Sequence, residues 1–134
     1  MTSNGGMLLA GDRMAGTVFI VEDNSDFGAA LAELLSDEGF QPVCFMTGWE
    51  ALDGLRSQTP ALIITDVLMP GMSGFELVTA LRAHETWRKI PVVMLSGGEE
   101  AARGRSLDAP LLFKPDVASL MRVLPAAARS AYSA

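Results

Sequence analysis

Three uninterrupted apolar runs, Val18–Val21, Ala61–Ile64 and Val92–Leu95, constrain this chain more than any other feature. A strand with one face in water alternates apolar with polar residues. A run without that alternation predicts a strand covered on both faces. Such strands belong to parallel sheets flanked by helices, so the segments between them should carry a helical period. They do: Phe27, Ala30, Leu31, Leu34 and Leu35 recur at i, i+3, i+4, i+7 and i+8. This spacing predicts an amphipathic helix with Ser25 or Asp26 as its cap and Gly39 as its stop.

The remaining elements follow the same logic. A second strand is expected at about 42–45, with Cys44 buried in it as a small hydrophobe. A second helix over about 48–56 turns Ala51, Leu52 and Leu55 inward, with Trp49 packed at its start. Pro60 precedes the strand at 61–65. Pro70, Gly71 and Gly74 predict a tight loop before a third helix, whose inner face is Phe75, Val78 and Leu81. Pro91 opens the fourth strand and Gly97-Gly98 closes it. Residues 99–109 carry no apolar stripe, so a fourth helix there is short or degenerate. Leu111–Phe113 reads as a fifth short strand. Val117, Leu120, Met121, Leu124 and Ala128 give a final helix, which Pro125 kinks or ends. The fold class is a doubly wound five-stranded parallel α/β sheet with helices on both faces. Residues 1–16 read as a flexible leader and 17–134 as one domain.

Composition narrows the function. Ten Lys and Arg stand against sixteen Asp and Glu, a net charge of −6, which excludes a nucleic-acid surface. A single cysteine excludes a disulfide framework and any multi-cysteine zinc site. The apolar patch Met7–Ala10 is too short for a signal peptide or a membrane span, so a cytoplasmic setting is expected.

Doubly wound sheets bind ligands beyond the carboxyl ends of their strands. That rule selects Glu22 and Asp23 after strand one, Asp66 after strand three, Ser96 after strand four and Lys114 after strand five. Three acids at one edge repel and gain nothing in packing, and a bound cation resolves the conflict. Oxygen-only ligands favour Mg²⁺ or Mn²⁺. A nucleophilic carboxylate, a hard metal, a hydroxyl and a lysine suit phosphoryl transfer, in which the carboxylate itself can accept the group.

These residues carry a family resemblance. The segments Val18–Asn24, Asp66–Gly74, Pro91–Ser96 and Phe113–Pro115 resemble the receiver domain of bacterial two-component response regulators. The resemblance spans about residues 17–125 and implies a flavodoxin-like strand order, 2-1-3-4-5. It implies Asp66 as phospho-acceptor, with a histidine kinase or phosphotransfer protein as donor. It implies Asp23 as direct metal ligand, Glu22 as the acid that helps hold the metal, and the backbone carbonyl of Leu68 completing the site. Ser96 then bonds a phosphoryl oxygen and Lys114 pairs with the phosphate, its turn fixed by Pro115. Met69-Pro70 and Gly74 shape the loop after the acceptor, and small Gly97 leaves it accessible.

Two departures from the family pattern stand out. Leu111 occupies the switch position, three before the lysine, where the family commonly has an aromatic residue. The segment from Ser96 to Lys114 is shorter than usual by about one helical turn. The face it forms normally dimerises, so any homodimer is expected through a nonstandard face. After Lys114 only twenty residues remain, which predicts a stand-alone receiver with output by protein–protein contact to a downstream target. It is expected to be a switch, not a turnover enzyme. The other readings are a degenerate binding module that works without phosphorylation and a module of a hybrid histidine kinase. An aspartyl-phosphate phosphatase is disfavoured because Leu68 stands where that class carries a second aspartate.

Several residues read as structural. His84 is expected to be solvated at the end of helix three, without the helical bundle or second histidine a phosphodonor or metal role needs. Glu99-Glu100, Arg103 and Arg105 read as surface charge. Trp87 is expected to pack after helix three.

Overall fold

The computed structural model describes residues 16–97, residue 109 and the strand at 111–113. The expected leader, fourth helix, final helix, Lys114 and Pro115 lie outside the described residues. So do Gly98, Glu99-Glu100, Arg103 and Arg105.

Eight elements alternate along the chain: β1 (Thr17–Val21), α1 (Ser25–Asp37), β2 (Gln41–Phe45), α2 (Gly48–Gly54), β3 (Leu62–Asp66), α3 (Gly74–Ala83), β4 (Val92–Ser96) and β5 (Leu111–Phe113). All pairings are parallel and the strand order is β2-β1-β3-β4-β5. The expected order and fold class are therefore those of the molecule.

The three apolar runs form the central strands β1, β3 and β4, whose apolar residues are buried on both faces. Alternate residues feed two separate clusters. Phe19, Val21, Ile63, Val92 and Met94 pack with Ala51 and Leu55 of the α2 region and with Leu77, Val78 and Leu81 of α3. Val18, Ile20, Leu62, Ile64, Val93 and Leu95 pack with Leu31 and Leu35 of α1. Each fully buried side chain of this size contributes roughly 1.5–3 kcal/mol. Phe19 adds an edge-on contact with Phe45, their ring centroids 4.7 Å apart.

Helix ends follow local chemistry, with one correction. Ser25 and Asp26 do not cap α1. Asn24 does, its side chain accepting from the Phe27 N–H at 3.0 Å, and Ser25 is already helical. Asn24 is extended while Ser25 begins the helical turn, so the cap falls one residue earlier than the hydroxyl suggests. At the other end, the N–H of Gly39 bonds the carbonyl of Ser36 and that of Phe40 bonds Leu35. Gly39 takes φ of 95°, which completes a Schellman stop with Phe40 packed on the α1 cluster. A capping box joins Ser73 and Glu76 at the start of α3.

Three burial expectations fail. Ala30 and Leu34 face solvent, so the buried stripe of α1 is Gly28, Leu31 and Leu35. Cys44 is exposed, because β2 is the edge strand and is covered less than the centre. Partial desolvation nonetheless raises its thiol pKa above the ordinary value. Trp49 sits at the start of α2 as expected, yet 64% of it is exposed instead of packed.

Candidate functional site

The strand order reverses around β1: the chain leaves it for β2 on one side and returns to β3 on the other. The carboxyl ends of β1 and β3 therefore flank the switch point, where such sheets open a crevice. Val21 is in register with Thr65, so the next residues of each strand, Glu22 and Asp66, leave the sheet side by side. Oxygen atoms of Glu22, Asp23 and Asp66 gather within 4.8 Å of one another.

Backbone bonds hold these acids in place. Glu22 donates its N–H to the Phe45 carbonyl at 2.9 Å, which carries the β1–β2 ladder one residue past the strand. Its carboxylate accepts the Asn24 N–H at 3.1 Å. Asn24 thus orients the acid with its backbone and caps α1 with its side chain. Val67 donates to the Leu95 carbonyl at 2.9 Å, so β3 continues beyond Asp66 in the same way. The Thr65 hydroxyl donates to the Asp66 carbonyl at 3.0 Å. Glu22 and Asp66 are only 4% and 6% exposed, whereas Asp23 is open to solvent.

Two glycines border this centre, and one of them lets a helix close on it. Gly74, the first residue of α3, donates to the Val67 carbonyl at 2.8 Å. A Cβ at Gly74 would fall against the backbone carbonyl of Asp66, so the helix reaches this close only as glycine. Gly28 of α1 lies beneath the Glu22 stem, where a Cβ would stand in ordinary contact at 3.7 Å. The Gly28 contact and the capping box escaped the sequence reading. Ser73-x-x-Glu76 was a readable signal for the box, whereas nothing in the sequence marked Gly28.

Ser96 ends β4 at 1% exposure, one residue past Leu95, the register partner of Asp66. Its own partner is Phe113 of β5, and Lys114 follows Phe113 in the chain but lies outside the described residues. Leu111 pairs with Met94. The Leu68 side chain is 60% exposed, so it neither packs nor supplies an acid beside Asp66. His84 is exposed at the end of α3, as expected. Its Nδ1 accepts the N–H groups of Thr86 and Trp87, and its ring stacks on half-buried Trp87 at 3.7 Å. Neither aromatic group belongs to the acidic centre.

The donor set is entirely carboxylate oxygen, with no nitrogen or sulfur. That fits a hard divalent cation such as Mg²⁺, whose ligand bonds of about 2.0–2.1 Å draw oxygens together and relieve their repulsion. The clustered acids are compatible with Mg²⁺ on chemistry alone.

Comparison with known proteins agrees with this geometry. The response regulator receiver domain model matches residues 18–111, and the chain belongs to that family. It is 43% identical to hybrid signal transduction histidine kinase D of Dictyostelium discoideum over 79 residues, 59% of this chain and 5% of that protein. It is 36% identical to the phosphate regulon transcriptional regulatory protein PhoB of Escherichia coli over 96 residues, 71% of this chain and 42% of the relative. The chain therefore spans less than half the length of either relative. A CheY-like receiver domain from Methylobacillus flagellatus superposes with a TM-score of 0.71 at 32% identity, covering 83% of this chain and 97% of that one. Among the described residues, no helix is long and apolar enough to cross a membrane.

Proposed function

We propose that the chain accepts a phosphoryl group on Asp66 from a histidine kinase or phosphotransfer protein and passes the signal on by protein contact. The observation that carries this reading is the gathering of Glu22, Asp23 and Asp66 at the switch point, with Asp66 ending the central strand β3. A carboxylate oxygen of Asp66 attacks phosphorus, the bond to the donor's imidazole nitrogen breaks, and that nitrogen keeps the electron pair. Mg²⁺, when bound, supplies positive charge that offsets the charge on the transferred oxygens. Asp23, Glu22 and the Leu68 carbonyl would hold it with Asp66. Buried Ser96 offers a hydroxyl donor to a phosphoryl oxygen, and Lys114 offers a fixed cation.

The buried setting of Asp66 favours a switch over a turnover enzyme. Its strand is fixed on both sides, and exposed Leu68 supplies no second acid to activate water. The cytoplasm is the compartment this reading requires.

Incubation with a small-molecule phosphodonor and Mg²⁺ tests it. The wild type should gain the mass of one phosphoryl group, mapped to Asp66, and chelation or Asp66→Asn should abolish the gain. No gain under conditions that modify a control receiver would favour a binding module that works without phosphorylation.

A further inference from the structure

Four large apolar side chains stand exposed among the described residues: Leu34, Met46, Trp49 and Leu68. Leu34 lies apart, on the outer side of α1. The other three share the carboxyl-terminal edge of the sheet, on the β2–α2 and β3–α3 connections and the first turn of α2. Two contacts weld these connections together. The Trp49 indole Nε1 lies 3.5 Å from the place of a Cβ on Gly71, and the Met72 side chain covers Gly48. The patch also borders the acidic centre. Met46 follows Phe45, whose carbonyl accepts from Glu22, and Leu68 is two residues past Asp66.

Exposed acids lie on both edges of the sheet, with Asp37, Glu38, Asp53 and Glu85 on the far one, and the edges differ in their described cations. Asp23, Asp26, Glu50 and Glu76 stand exposed at strand ends or in first helical turns on the carboxyl-terminal edge, beside the buried acids Glu22 and Asp66. Every described cation, Arg56, Arg82, Arg88 and Lys89, lies at or beyond the far ends of α2 and α3, on the opposite edge. Met46, Trp49 and Leu68 are thus an apolar surface with an acidic rim. Such a surface calls for an apolar anchor flanked by positive charge.

We infer that Met46, Trp49 and Leu68 form a docking patch for an amphipathic helix of a partner protein, its apolar stripe flanked by Lys or Arg. Strand addition does not suit this place, since β1 and β3 already have neighbours on each side and the free edge of β2 runs along Gln41–Phe45, short of the patch residues. A helix instead meets the patch through side chains alone, at i, i+3, i+4 and i+7. An anionic lipid surface would be repelled by the rim, and a second copy of this chain would bring its own net charge of −6. The inference stands independently of phosphorylation and is tested on the unmodified protein.

The probe is a synthetic helical peptide of roughly 20 residues, with a leucine stripe flanked by lysines, titrated into isotope-labelled protein. Chemical shifts should move at Met46, the Trp49 indole, Leu68 and Gly71. Trp49→Ala should weaken binding about tenfold or more, as hot-spot tryptophans do. Because Trp49 is largely exposed, the variant should keep the wild-type circular dichroism, and Leu68→Ala provides a second, smaller loss. A glutamate-flanked peptide should not bind. Shifts centred on the outer face of α1, unchanged binding by Trp49→Ala, or equal binding of the acidic peptide would overturn the inference. So would preferential binding to anionic vesicles, or association of the chain with itself through this patch.

Discussion

The middle of the sheet and its carboxyl-terminal edge share the same three strands but follow opposite rules. In the middle, Phe19, Ile20, Ile63, Ile64, Val93 and Met94 are buried on both faces and have nothing to pair. One or two residues further along, Glu22, Asp66 and Ser96 are buried almost as deeply, at 4%, 6% and 1% exposure. The burial that stabilises Ile64 costs free energy at Asp66, which must keep its oxygens satisfied. The ladders explain why the acids stay there. Glu22 and Val67 each donate to the neighbouring strand, so the backbone holds its pairing past the point where apolar burial ends. Stability and chemistry are therefore separable along a single strand.

Substitutions can break or sharpen that contrast. Asp66→Asn should eliminate phosphoryl uptake, the largest effect expected, while the thermal midpoint without Mg²⁺ stays level or rises. One of three mutually repelling carboxylates is removed, and calorimetry beside mass spectrometry reads both outcomes. Two residues earlier, Ile64→Ala should cost about 3 kcal/mol in urea denaturation, yet leave uptake per folded molecule unchanged. Gly74→Ala should blur the contrast. Its Cβ would meet the Asp66 carbonyl, so it should lose about 2 kcal/mol and also slow uptake. Uptake at wild-type rate in that variant would show that α3 can retreat without disturbing the acceptor. Ser73→Ala, which removes the hydroxyl half of the capping box, should cost about 1 kcal/mol with uptake intact. The smallest effect concerns Cys44 on the edge strand. Its raised pKa leaves less thiolate at about pH 8, so alkylation should be slower than for free cysteine, and the gap should close as pH climbs.

The centre of the molecule was legible because burial on two faces writes itself as an unbroken apolar run. The acids at the ends of β1 and β3 were legible because strand ends point to ligands in any doubly wound sheet. What escaped depended on neighbours distant in sequence. Cys44 reads as buried until β2 is known to be the edge strand. Ala30 and Leu34 fit a helical stripe, but α1 turns Gly28, Leu31 and Leu35 inward, with Phe27 and Ala32 partly covered beside them. Trp49 looks like core from its chemistry alone. It stays outside because the inward positions of α2 belong to Ala51 and Leu55, which fill the space against Phe19. The cap at Asn24 turned on a difference of one residue that backbone dihedrals decide.

The placement of the two tryptophans gives the molecule a pair of built-in optical reporters. Trp49 stands largely exposed beside Gly71 on the loop after Asp66, so its emission should start red-shifted and respond to whatever moves or covers that loop. Trp87 sits at the other edge, half-buried and stacked on His84 at 3.7 Å, so its emission should start bluer than that of Trp49. Redder light reports on the carboxyl-terminal edge, and bluer light on the opposite one. The two ends of the sheet can thus be followed separately in a single cuvette, without a label.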